Sequence, residues 1–502
     1  MALLAAPVSH AAAGDLDSSF GSNGKVTTTF LNKSASIDAM TLQPDGKIIV
    51  VGRVIPNAIN IPFSYSDLAL VRYNADGNID TGFGSGGITL IDFSPEDDVK
   101  AIALQADGKI VIAGSAIIST SSYFDFVLTR YNNDGSLDTG FGIGGKQTTD
   151  FFGGNDQVND MVLQVDGKIV VAGTTFNGSD SDFALARYNS NGALDTSFGI
   201  AGKLTTHFSS YNSTNALGLQ TDGKIVAAGV AGNGVNDDFA LIRYNTDGSL
   251  DSGFGNGGKV TTDFFAHPDR AYALAIQADG KIIAAGSAYN LDDSFALARY
   301  LNDGSLDASF GSFGKVTTNF YPDFDAINAL ALQPDGKIVA TGNLSSYIDN
   351  FGVPGVAEFI LARYNPNGSL DTRFGNGRKL LTGFSYYSAH DAVLQTNDKI
   401  VVAGGLDSGF GLARYLNDSG LPQPGWWWNP DESGRGFSVE VSQNTLFMAG
   451  YLYDASGRAT WYASAGPMAN NTLYQGTLQT FGNGQTLTGA YKPYSLTNSD
   501  AG

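Results

Sequence analysis

Cysteine is absent from the 502 residues. That excludes a disulfide framework, a thiolate metal site and a cysteine nucleophile, and it leaves the redox compartment open. Histidine is scarce: His10, His207, His267 and His390 stand at non-equivalent places, with no His-x-x-x-His pair and no glutamate-paired zinc pattern, so no metal is expected from them. Basic residues are few, 29 Lys and Arg against 49 Asp and Glu for a net charge of −20. Much of that small complement recurs at fixed positions of a repeat, so no free basic stripe remains and nucleic-acid binding is not expected. No apolar run is long enough to span a bilayer, so no transmembrane segment is expected. No Gly-x-Ser-x-Gly elbow, phosphate loop or dinucleotide fingerprint stands in the context it needs. Carboxylates are so numerous that a chance pair would fit any glycosidase proposal.

What is present points to β structure. Sixty-four glycines with 15 prolines, and an abundance of Asn, Asp, Ser and Thr, describe many short strands joined by tight turns. At the N-terminus, a short apolar stretch over 2–6 and the small residues Ser9-His10-Ala11-Ala12-Ala13 before Gly14 read as the tail of a signal peptide. An ordinary alanine-rich terminus is the alternative. The expected location is therefore secreted, periplasmic or at the cell surface.

Self-similarity organises the chain. A hairpin, Ala-Leu-Gln-x-Asp-Gly-Lys-Ile, recurs with its lysine at Lys47, Lys109, Lys168, Lys224, Lys281, Lys337 and Lys399. An Arg-Tyr pair follows each hairpin, at Arg72, Arg130, Arg187, Arg243, Arg299, Arg363 and Arg414. A third element, Leu-Asp-x-x-Phe-Gly, has its phenylalanine at Phe20, Phe83, Phe141, Phe198, Phe254, Phe310 and Phe374, so its first copy precedes the first hairpin. In the repeat at 156–208 the expected strands are 161–164, 168–172, 183–188 and 203–208. Asp166-Gly167 is expected to make a two-residue type I′ turn. The continuous apolar run Ile169-Val170-Val171-Ala172 suits a strand covered on both faces.

This pattern resembles the delta-60 repeat of bacterial exported proteins, a propeller family without an assigned activity, over residues 15 to about 417. More loosely it is similar to the kelch blade, which orders the strands from inner to outer. The resemblance implies an all-β, seven-bladed β-propeller of four-stranded blades, with the strand at 25–30 completing the last blade and closing the ring. Beyond a linker at 419–424, the segment 425–502 holds all four tryptophans, Trp426, Trp427, Trp428 and Trp461. It resembles a small β module at the ends of exported proteobacterial proteins, here with no closing strand evident. Its rings suit a hydrophobic core better than a sugar-stacking platform. The expected domains are thus 1–14, 15–418, 419–424 and 425–502.

The candidate binding face carries the second-to-third and fourth-to-first strand loops. Its long connections bear Phe63, Tyr65, Tyr123, Tyr347 and Phe351, amphipathic rings fit for contact. On the same face, eight residues before the hairpin glutamine, stand Asp97, Asp156, Asp269 and Asp325, with Asn212, Ala35 and Tyr387 at three equivalent positions. Rotation would bring these carboxylates to one channel rim, where a cation could bind; ordering of each aspartate's own loop is the preferred alternative. The Asn-x-Asp-Gly-Ser-Leu-Asp stretch, as at 132–138, reads as a turn rather than a calcium loop, because Arg130 holds a ligand position. The repeated arginines are expected to anchor blade to blade, to the aspartate of Leu-Asp. No catalytic residue, metal site or cofactor is assigned, calcium remaining the one candidate ion.

Three function classes follow. The first is a monomeric, non-catalytic binding or surface protein that presents its loops to a glycan, a protein or an envelope component. The second is a polysaccharide glycosidase or lyase, which would break the repeat with unique polar residues near the channel; no such set stands out in the sequence. The third is a structural adhesin or matrix component.

Overall fold

The computed structural model describes residues 13–30, 33–56, 67–91, 93, 97–118, 123–208, 211–290, 292–320, 324–345, 358–377, 380–382, 388–406, 409–417, 425–428, 436–442, 445–453, 459–467, 479–482 and 495–498. The chain divides into two compact units, Met1–Asn417 and Asp418–Gly502.

The first unit repeats one antiparallel sheet. In the repeat followed above its strands are Asp156–Leu163, Ile169–Phe176, Ser181–Tyr188 and Lys203–Thr206, hydrogen-bonded in that order. The first begins five residues earlier than the sequence suggests. Five sheets of this form run in sequence from Asp97–Leu104 to Leu380–Leu381. An eight-stranded sheet joins two further sets through a single pair, Ala35 with Leu406. One set is Lys33–Leu42, Ile48–Pro56, Asp67–Tyr73 and Ile88–Ile91; the other is Ala389–Leu394, Ile400–Leu406, Gly409–Tyr415 and Lys25–Thr29. The N-terminal strand pairs with the last repeat, Lys25 opposite Ala413, as the permuted order of the third sequence element implies.

Stacking explains the apolar second and third strands. Along Ile169–Phe176 alternate residues enter different cores. Ile169 and Val171 pack with Val111, Ala113 and Leu128 of the preceding sheet, and Val170 and Ala172 with Leu217, Ile225 and Ala227 of the following one. Each fully buried Ile or Val contributes roughly 1.5–3 kcal/mol, so every sheet is held through both faces. The first strands touch one another in cyclic order and return from Ala389–Leu394 to Lys33–Leu42, which puts them innermost.

The Asp-Gly hairpin differs from the expected two-residue turn. Gly167 N–H donates to the Gln164 carbonyl at 2.9 Å and Gln164 N–H to the Lys168 carbonyl at 2.8 Å, enclosing three residues. Gly167 has φ 83, whereas Asp166 stays at negative φ and accepts from Lys168 N–H at 3.1 Å. This is a type I turn closed by a left-handed glycine. The aspartate is there for its hydrogen bond, not for its tolerance of positive φ.

At the hairpin face every repeat uses one weld between sheets. Arg187 Nε donates to Asp195 at 2.8 Å, the guanidinium lies 4.5 Å from the centre of the Phe198 ring, and Nη1 reaches the Thr246 carbonyl in the next repeat. The last repeat lacks its own aspartate and takes Asp17 from the N-terminal segment, 2.7 Å from Arg414 Nε. Burial opposes ionisation of Asp17, yet Lys399, Ser19 and Arg414 hold its carboxyl far below the usual range. Residues 13 and 14, assigned above to a leader, belong to this fold: Ala13 is buried beside Phe374, and Gly14 N–H donates to the Leu416 carbonyl.

The second unit is a six-stranded antiparallel sheet in sequence order, Gly425–Trp428, Gly436–Ser442, Thr445–Tyr453, Ala459–Pro467, Gln479–Gly482 and Ser495–Asn498. Ser495–Asn498 pairs with Gln479–Gly482, supplying a last strand that the sequence did not reveal. No helix among the described residues is long and apolar enough to cross a membrane.

Candidate functional site

A bulge in each innermost strand creates the site. One residue there is unmatched by the second strand: Asp38, Lys100, Asn159, Asn215, Tyr272, Asn328 or His390. A bulge bends its strand and re-aims the extra side chain. A glycine of the second strand makes it possible. A Cβ at Gly173 would overlap the Gln157 carbonyl oxygen, and one at Gly229 that of Ser213. The glycine ending each apolar run is therefore required by close backbone approach.

The bulge residues converge on an axial pocket of about 330 Å³ lined by the innermost strands of all these sets. They divide into two groups. The asparagines lace sheet to sheet: Asn159 Nδ2 donates to the Thr214 carbonyl at 2.6 Å, Asn215 to Ala271 at 2.7 Å and Asn328 to Ala389 at 2.8 Å. Asp38, Lys100, Tyr272 and His390 break that pattern. Asp38 accepts from Arg53 Nη2 at 3.1 Å, and Lys100 Nζ lies 3.1 Å from Asp98 and 4.0 Å from Asp38. Burial pushes the Asp38 carboxyl up against the pull of Arg53 and Lys100. Burial, aided by Lys100 and Arg53, pulls His390 down to about 4, so its ring is neutral at neutral pH.

One position further on, where other repeats carry alanine, stand Asp160 and Asp391. Asp160 accepts from Leu217 N–H of the next sheet at 2.6 Å and from Met161 N–H at 2.7 Å. Asp391 likewise accepts from Met40 N–H and Ala392 N–H, each at 2.7 Å. Burial raises Asp160 to about 6 and Asp391 to about 7. Two carboxyls of the pocket thus change charge close to neutrality.

Tyr272 joins the pocket to two surface grooves of about 420 and 430 Å³, which it shares with Arg270. Tyr289 and Asn343 line one, Tyr211 and Asp237 the other. Arg270 Nη2 bonds Asp237 at 2.9 Å, and His267 packs edge-on to Tyr289. These grooves open where fourth-to-first and second-to-third loops meet, the face singled out from the sequence.

The residues predicted for that face fare differently. Tyr123 is half exposed there but lines neither groove. Phe63, Tyr65, Tyr347, Phe351 and Tyr387 lie outside the described residues, as do the side chains of Trp426, Trp427, Trp428 and Trp461. Asp97, Asp156, Asp269 and Asp325 form no shared rim. Each is buried beneath its own loop and accepts from a loop amide: Phe93, Phe151, Phe264 and Phe320 N–H at 2.6, 2.7, 2.6 and 2.8 Å. The strand starts at or one residue before this position, so the side chain turns under the incoming loop; Asp325 also lines one of the two grooves with Arg270 and Tyr272. At 132–138 the structure has a turn, with Asp134 accepting from Ser136 N–H at 2.9 Å. The polar set that sequence reading did not find stands five residues before every hairpin glutamine, and comparing the repeats at that one position would have exposed it.

Four-stranded sheets stacked about a common axis define a β-propeller. Six segments, 43–83, 105–141, 164–198, 220–254, 277–310 and 333–374, match the family described as a domain of unknown function (DUF5122) beta-propeller. Six of the repeats are therefore similar to a β-propeller repeat family. No curated protein matches it. Among solved structures it is similar to a polysaccharide lyase, Uly1, with 10% identity and a TM-score of 0.43 over 76% of this chain and 89% of that one. A glucose dehydrogenase gives 12% and 0.37 over 63% and 95%. A glycosyl hydrolase from Bacteroides ovatus gives 12% and 0.32 over 84% and 97%. Likeness at this level carries no argument about activity.

Proposed function

We propose that this is an exported, monomeric, non-catalytic binding protein, a seven-bladed propeller followed by an aromatic-rich β module, whose axial mouth and tyrosine-lined grooves take a carbohydrate. The blade count rests on reading the eight-stranded sheet as two blades joined at one bridge. The observation that carries the site is the departure from the repeat at one register, which places Asp38, Lys100, Tyr272 and His390 around a single polar pocket; it is the kind of break named above for a polysaccharide glycosidase or lyase, so it supports carbohydrate binding in either class, and turnover separates the two. Amides, carboxylates and cations suit hydroxyl groups, and exposed tyrosines suit the apolar face of a sugar ring. Asp160 and Asp391 hold backbone amides with both oxygens, which ties them to structure and disfavours a catalytic acid pair. Export is supported by the short apolar and small-residue stretch over 2–12.

A glycan array probed with the full chain, followed by calorimetry and a hydrolysis assay on the same glycans, tests this reading. The expected result is binding without turnover, weakened about tenfold or more by Tyr272→Ala and unchanged by Val165→Ala on the hairpin face. Turnover would move the protein to the enzyme class. Binding lost only through hairpin-face changes would overturn the site.

A further inference from the structure

Three positions of the repeat can meet at a sheet boundary: one near the start of the third strand, one just after the fourth, and the first residue of the next innermost strand. At one boundary they are Asp238, Asp263 and Asp269, and an oxygen from each lies within 4.8 Å of the others. Two oxygens bound to one calcium ion at about 2.4 Å can be at most ~4.8 Å apart, so three such oxygens fit one ion.

Asp238 and Asp269 are buried, 6% and 0% exposed. Their Oδ2 atoms are committed, to Asn233 Nδ2 at 2.8 Å and to Phe264 N–H at 2.6 Å. Their Oδ1 atoms are also buried and make no hydrogen bond of normal geometry among the described residues; Tyr289 N–H, which donates to the Pro268 carbonyl at 3.2 Å, also acts on the Asp269 carboxyl, and Asp238 Oδ1 has no such neighbour. A buried carboxylate oxygen left without a donor or cation costs the desolvation of a charged acceptor.

The equivalent boundaries show what normally fills that role. Asp125, Asp150 and Asp156 form the same triad, but there the Thr175 hydroxyl donates to Asp156 Oδ1 at 2.5 Å. Thr175 is the ladder partner of Asp156; the ladder partner of Asp269 is Ala288, which has no donor. At a third boundary His207 replaces the middle aspartate and Asn212 the last, and His207 Nδ1 lies 2.6 Å from Asp182 Oδ1. A hydroxyl thus serves the innermost-strand carboxyl at one boundary and an imidazole the third-strand carboxyl at another, and neither donor stands beside Asp238, Asp263 and Asp269.

We propose that Asp238, Asp263 and Asp269 bind a divalent cation of the calcium type, supplied by the medium and held between two sheets on the loop face. The ion bridges the third strand of one sheet to the first strand of the next and replaces the missing donor at Asp269 Oδ1. The site is independent of the axial pocket and of any ligand bound there.

Calorimetric titration of the full chain with calcium chloride after chelator treatment tests the proposal, together with the shift in melting temperature on adding the ion. Wild type should bind in the range of extracellular calcium modules, about 0.1–1 mM or tighter, and melt at a higher temperature with calcium. Asp263→Asn alters an exposed residue, and Ala288→Thr installs the hydroxyl already present at Thr175; each should weaken binding at least about tenfold and remove the calcium-dependent shift. Asp150→Asn, at the boundary where Thr175 serves the buried oxygen, should leave that binding in place. No calcium binding up to about 10 mM, or identical titrations of wild type and Asp263→Asn, would overturn the site and leave a proton as the partner of Asp269.

Discussion

The hairpin face and the axis of the propeller are built from the same repeat under opposite constraints. At the hairpin face Arg187, Asp195 and Phe198 meet in a geometry that recurs for Arg243, Asp251 and Phe254 and again for Arg414, Asp17 and Phe20. At the axis the bulge position carries Asp, Lys, Asn, Tyr and His. The first region must join two sheets through buried polar groups, and few arrangements satisfy them. The second faces a pocket, where the asparagines lace sheet to sheet but the same register also accepts Asp, Lys, Tyr and His. Uniformity therefore marks where the fold is welded, and variation marks where a ligand can be read.

The largest effect should come from breaking the uniform weld where it is assembled from chain ends. Asp17→Ala strands Arg414 in a buried site, as Asp195→Ala strands Arg187. Removing one partner of a buried ion pair costs about 3–5 kcal/mol. Urea unfolding should show similar losses for the two variants despite their different sequence separation. A much smaller loss for Asp17→Ala would show that the closing strand, and not the ion pair, holds the last sheet.

A smaller effect should separate the two groups of bulge residues. Asn215→Ala removes a sheet-to-sheet hydrogen bond and leaves the Ala271 carbonyl without it, a cost of about 1–3 kcal/mol. Tyr272→Ala, at the same register one sheet on, should change stability by less than about 1 kcal/mol while reducing ligand binding. Equal destabilisation of both would abolish the distinction between lacing and reading positions.

The smallest effect is on pH dependence. The folded pKa of Asp391, about 7, exceeds its ordinary value of 3.8. Its contribution is therefore full below about pH 4 and is lost as pH rises through about 7. His390, lowered to about 4 from 6.5, contributes the other way, present above about pH 6.5 and lost as pH falls through about 4. Asp391→Asn should reduce the loss of urea stability between about pH 5 and pH 8, and His390→Asn should steepen it. Lys100, Arg53 and Asp160 act on these groups, so the same slopes in both variants and wild type would show that the pocket charges do not titrate in this window.

The sequence by itself determined the parts that depend on local pattern. Asp166-Gly167, the run Ile169-Val170-Val171-Ala172 and the Arg-Tyr pair each specify a turn or strand through neighbouring residues alone. Their repetition set the sheet order, and the early Leu-Asp-x-x-Phe-Gly element placed Lys25–Thr29 on the last sheet. Tertiary structure decided the rest. A bulge adds one residue to a strand and reverses which side chains face the axis beyond it. Simple alternation could not therefore put Asp38, Tyr272 and His390 in one pocket, nor Asp269 beneath a loop. The convergence of Asp238, Asp263 and Asp269 likewise depends on the packing of one sheet against the next, since the three belong to different strands that meet only in the stack.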